Sequence, residues 1–138
     1  MHLHLHPIVV HFPIALLLTA FGVEILSLLF KKENLHQAAW YNYLLGILAT
    51  IAAILAAWWD GETLKHPIFY AHRNFAYATL GIALLSGIIL SLIKKRNDKI
   101  FRIAFFISLL VIVILVSITG YFGGRLVYEY GIGVAQIE

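Results

Sequence analysis

Cysteine and charge are what this sequence has least of. None of its 138 residues is a cysteine, which excludes disulfides, thiolate-ligated haem, iron–sulfur clusters and cysteine-based zinc sites. Any metal chemistry falls to histidine and carboxylate. Charged residues make up 12% of the chain against 62% hydrophobic ones, far outside soluble globular usage. The composition is that of an integral membrane protein, whose first partner is the lipid bilayer. A net charge of +3 might suggest nucleic acid, but the basic residues sit in short loops between apolar runs, which is a topology signal; nucleic acid is set aside. The sequence also has no Ser-His-Asp pattern, no HExxH and no paired catalytic carboxylates, and Gly123-Gly124 is too short for a phosphate loop. This favours an electron carrier or subunit over a stand-alone enzyme.

What is present is a set of four long apolar runs, predicting an all-α, four-helix transmembrane bundle that forms one domain over 1–138. Helix 1 is expected from Pro7 to Phe30, ended by Lys31-Lys32-Glu33-Asn34, and helix 2 from Gln37 to Trp59, with Gly61 as the left-handed C-cap. Pro67 opens helix 3, which continues to Ile93. Helix 4 is expected from Ile100 to Phe122, breaking at Gly123-Gly124 and leaving a tail, Arg125 to Glu138, folded over the outer surface. The first run lacks the basic start of a secretory signal and is too long for its apolar core, so it is kept as a membrane helix. Lys31, Lys32, Lys94, Lys95, Arg96, Lys99 and Arg102 share one side, against Lys65, Arg73 and Arg125 on the other. The positive-inside rule then places both termini outside the cytoplasm, in a multi-pass protein of the bacterial inner membrane. Trp58, Trp59, Phe69, Tyr70, Tyr121 and Tyr128 form an aromatic belt at that outer face.

The chain also repeats itself. His6-Pro7-Ile8-Val9-Val10-His11 returns as His66-Pro67-Ile68-Phe69-Tyr70-Ala71-His72, Lys31-Lys32 as Lys94-Lys95, and Trp59-Asp60-Gly61 as Phe122-Gly123-Gly124, at offsets between 60 and 63 residues. Two parallel repeats are implied, over about 6–64 and 66–127, related by an axis along the membrane normal. Each His-Pro marks a helix start, since proline at the first helical position sacrifices no hydrogen bond.

A histidine one turn inside a membrane helix needs a partner and usually marks function. Facing helices would bring His11 and His72 together, and the sharpest expectation is a bis-histidine haem b, with propionates toward Arg73, His6 or His66. A copper or zinc site built from His11 and His72, with His6, His66 and Asp60 nearby, is the second. The third has no cofactor: His6 and His66 cap helix starts, His11 and His72 bond carbonyls or each other, and the protein is a scaffold or accessory subunit. Ridges of small residues run beneath each inner histidine, Ala15, Thr19 and Gly22 under His11 and Ala76, Thr79, Ala83 and Ser86 under His72. They suit close packing within the chain or in a homo-oligomer. Glu24 is expected to snorkel toward Lys31, Lys32 or water, with a proton-relay role as its second reading, His36 to lie in the interface, and Asp60 to accept from a ligand N–H. His2 and His4 alternate with Leu3 and Leu5, a pattern open to three readings, ordinary native residues, part of a metal-binding tract or the remnant of an added tag, and carry little weight.

The HPxxxHFP start (His6 to Pro13), the Trp59-Asp60 pair, His72 and the ending Gly120-Tyr121-Phe122-Gly123-Gly124-Arg125-Leu126-Val127-Tyr128 resemble the bacterial membrane proteins grouped as domain of unknown function 2231. The likeness covers almost all of the chain. It implies a four-helix inner-membrane protein similar to the four-helix b-type cytochromes, which hold haem between histidines and exchange electrons with a quinone or a redox protein. Asp60-Gly61 departs from the glycine-rich turn expected there.

Overall fold

The computed structural model describes residues 5–61, 65–94 and 98–132. His2, His4, Lys95, Arg96 and the end of the tail from Gly133 lie outside the described residues. Helices α1 (His6–Val9) and α2 (His11–Phe30) make up the first span, followed by α3 (Glu33–Asp60), α4 (Pro67–Lys94) and α5 (Asp98–Tyr130). All four spans are long and apolar enough to cross a membrane. The first is interrupted at Val10 because Pro13 has no N–H for the carbonyl of Val9 four residues back, and its ring crowds that carbonyl. Gly61 ends α3 in the left-handed conformation, φ 67°, as expected.

Two boundaries differ from expectation. Helix α3 starts at Glu33, because the turn needs only Lys31, in the left-handed region at φ 53°, and the extended Lys32. Glu33 then sits in the first turn, where a carboxylate meets the positive end of the helix dipole. Helix α5 does not break at Gly123-Gly124 but runs on to Tyr130, and Gly131, at φ 65°, ends it. A helix tolerates internal glycine at a cost of about 1 kcal/mol each, and Gly123 is small for a packing reason: an added Cβ would lie 3.1 Å from His72 Cε1. Residues Arg125–Tyr130, expected in the folded-back tail, are therefore helix.

The spans pack as two hairpins, α2 on α3 and α4 on α5, joined through α2 with α5 and α3 with α4. Inward stripes step by three and four residues. On α2 they are Pro13, Leu17, Ala20, Glu24 and Ser27, and a Cβ on Gly46 of α3 would fall 2.6 Å from Leu17 Cδ2, which shows how closely that glycine lets the two helices approach. The ridge Ala15, Thr19, Gly22 lies on the exposed face with His11, a quarter-turn or more from that stripe, whereas Thr79 and Ala83 under His72 are buried. Leu, Ile and Val side chains on the outer faces are widely exposed, as lipid-facing surfaces are.

The buried positions recur at a shift of 66 residues: Ala39, Tyr43, Gly46 and Thr50 on α3 answer to Phe105, Leu109, Ile112 and Val116 on α5. Pro13, Leu17 and Glu24 on α2 answer to Thr79, Ala83 and Leu90 on α4. This is not the shift of 60–63 that the His-Pro text suggests. The second hairpin carries an extra turn or so beyond the repeated core, which displaces the matching His-Pro relative to the packing.

Candidate functional site

The shift of 66 pairs His6 with His72, and the structure brings those two together. Their rings lie 6.0 Å apart between centres, with planes at 81°. His6 Nδ1–H donates to the carbonyl of Ala53 on α3 at 2.8 Å. His72 Nδ1–H donates to the carbonyl of Thr119 on α5 at 3.0 Å. Each acceptor stands 47 residues after its histidine. A carbonyl only accepts, so Nδ1 carries the proton in both rings, and in neutral imidazole the lone pair is then on Nε2. This is how metal-ligating histidines are commonly oriented.

His6 is fixed by backbone as well. Asp60, at the end of α3, accepts from Leu5 N–H at 3.0 Å through Oδ1 and from His6 N–H at 2.8 Å through Oδ2. It caps the free donors at the start of α1 from another helix, so its carboxylate stands against the backbone of Leu5 and His6. His66 caps α4, its Nδ1 accepting from Ile68 N–H at 3.3 Å, with the Tyr130 hydroxyl 3.3 Å from Nε2. Arg73 is exposed, its guanidinium 5.2 Å from the centre of the Tyr70 ring. Of the expected set, His72 does face another histidine, and that histidine is His6. His11 is exposed on the face turned away from the bundle, since it stands two residues before buried Pro13 and off that stripe.

The model of the family described as "Predicted membrane protein (DUF2231)" matches residues 2–136. The chain belongs to the DUF2231 family. No curated protein and no solved structure matches it.

A second polar site in this DUF2231 member was not anticipated from sequence. Glu24 is 0% exposed and His36 is 5% exposed. The Nδ1 of His36 lies 2.8 Å from Oε2 and 3.0 Å from Oε1 of Glu24. Both side chains are buried against each other, so Glu24 does not snorkel toward Lys31 and Lys32. The imidazole meets Phe101 and Phe105 edge to face, at 5.4 and 5.6 Å. The available signal was the stripe itself: Glu24 steps by four from Ala20 and by three to Ser27, and His36 by three to Ala39 and seven to Tyr43, so both fall on inward faces. Arg102 of α5 pairs with Glu33 just outside this site.

Proposed function

We propose that this membrane protein is a haem b carrier of the cytochrome type, in which His6 and His72 would be the residues that hold the haem. The observation that supports it is the matched tethering of the two imidazoles, each held by Nδ1–H to a helix carbonyl with Nε2 left as donor. The two rings are also near neighbours, their centres 6.0 Å apart, so both would be at hand to hold one group. Among the described residues no group of three or more His, Cys, Asp or Glu side chains is placed to hold a metal ion. Two imidazoles alone suit an iron whose other four positions a porphyrin fills, better than a closed zinc site made of protein ligands. When bound, haem supplies one-electron chemistry. The chain's own part is to orient both rings, to cap the His6 helix through Asp60, and to offer Arg73 to a propionate. With the basic end in the cytoplasm, the pair lies at the outer face of a bacterial inner membrane, where a quinone or a redox protein exchanges electrons with it.

The test is the visible spectrum of the detergent-purified protein, oxidised and dithionite-reduced. A Soret band and a reduced α-band are expected in wild type and in His11→Ala, and their loss in His6→Ala and His72→Ala. Copper or zinc in elemental analysis without a Soret band replaces haem by a metal ion on the same pair. A colourless, metal-free protein from haem-replete cells overturns both and leaves a scaffold, in which the two histidines serve only to tie α1 to α3 and α4 to α5.

A further inference from the structure

We propose that Glu24 and His36 form a proton-binding site, entered from the basic end of the bundle and separate from the His6–His72 pair. It stands whether or not any cofactor binds. A carboxylate with 0% exposure in an apolar bundle is expensive unless neutralised, and such residues mark function more often than stability. Packing at this depth does not require it. At the shift of 66 the second hairpin places Leu90, 1% exposed, where Glu24 stands, and Arg102 where His36 stands. The same fold closes over leucine in one half and over an acid with its own base in the other.

The pair has the parts of a reversible proton acceptor. Both Glu24 oxygens face one imidazole nitrogen, so one proton is shared between them whichever group formally owns it. Imidazole has a second nitrogen, Nε2, which can take up or release a proton while Nδ1 keeps its contact. His36 also lines a cavity of about 220 Å³ with Glu33, Gln37, Trp40 and Tyr41. At about 30 Å³ per water in the liquid, that space takes several. Water entering there would meet the imidazole, whose Nδ1 contacts Glu24.

The other titratable and charged groups described near this end are Lys31, which caps α2, Lys32 in the turn, Glu33, Tyr41 and Tyr43 on α3, and Asp98, Lys99 and Arg102 on α5. Helix α4 contributes apolar Leu90 and Ile93 to the core there. Glu33 is paired with Arg102. The Tyr43 hydroxyl donates to the Ala83 carbonyl at 2.6 Å and meets Ser86 at 2.9 Å. Glu33, Arg102 and Tyr43 thus have partners of their own, while Glu24 and His36 bond each other.

The experiment is infrared difference spectroscopy of the full chain in lipid nanodiscs, titrated with acid in water and in heavy water. A protonated-carboxyl band that grows on acidification, shifts in heavy water and is absent from Glu24→Gln is expected. In His36→Gln the band should persist and exchange with heavy water several-fold more slowly. Glu24→Leu, the residue the second half uses, should fold with thermal stability at or above wild type while losing the band. A wild-type spectrum with no Glu24 band over the pH range in which the protein stays folded overturns the proposal. So does a band that never exchanges, exchange unchanged in His36→Gln, or a Glu24→Leu protein that fails to fold, which would make the pair structural.

Discussion

The two polar sites lie at opposite ends of one bundle and are built in opposite ways. The histidine-end pair takes one residue from each hairpin, with matching tethers 47 residues downstream. Its rings meet edge to face without bonding each other, and each keeps a nitrogen lone pair in reserve. The Glu24–His36 pair comes wholly from the first hairpin, and its members bond each other directly through His36 Nδ1. A pair shared between the halves is suited to holding something between them. A pair private to one half and already bonded is suited to exchanging something as small as a proton. Four apolar spans therefore carry two polar sites that are built differently.

The comparison breaks most completely at the histidine end. His6→Ala or His72→Ala is expected to abolish the haem spectrum, whereas Glu24→Gln leaves it in place; absorbance of the purified variants decides this. Next comes stability at the other end. His36→Leu strands a buried carboxylate and is expected to cost about 3–5 kcal/mol, while the double change Glu24→Leu/His36→Leu equals or exceeds wild type. Unfolding in mild detergent reads both values, and a double-mutant cycle isolates the pair.

Smaller effects sharpen the contrast between the halves. Asp60→Ala removes a cap that the second hairpin lacks, since Leu126 occupies the equivalent place. A loss of about 0.5–2 kcal/mol is expected, with a shift in any histidine-bound absorbance. Gly124→Ala meets nothing within 4 Å and should gain up to about 1 kcal/mol of helix stability. Gly123→Ala presses on His72 Cε1 at 3.1 Å and Nδ1 at 3.3 Å, and should lose that gain and disturb the spectrum. His11→Ala, at an exposed position, is expected to stay within about 0.5 kcal/mol.

Much of the fold was legible in the sequence because membrane spans are written in composition. The four apolar runs, the Gly61 cap and the aromatic end all follow from local chemistry, and Trp58, Trp59, Tyr121 and Tyr128 are indeed exposed at the histidine end. The site was legible only in part. His72 stands out as a histidine inside a helix, but choosing its partner required the register between hairpins. The repeated His-Pro text points to a shift near 60, while the packing obeys 66, and only contact between side chains distinguishes them. Gly123-Gly124 reads as a break because glycine is a poor helix former; its packing duty toward His72 is a tertiary fact. Glu24 and His36 stand 12 residues apart across a turn, and each taken alone resembles an interfacial residue.

The interruption at Val10 has a mechanical consequence. Past that point His6 owes little to its own helix, because its ring is held by Ala53 and its backbone by Asp60, and both belong to α3. His72 is held by α5 in turn. The gap between the imidazoles is thus a gauge of the spacing between α3 and α5 at one end. At the other end Trp40 and Tyr43 of α3 lie against Phe105 of α5, with ring centres 5.4 and 5.5 Å apart. A rocking of those aromatic rings about one another would be read out, roughly 20 Å away along the helices, as a change in the distance between two nitrogen lone pairs.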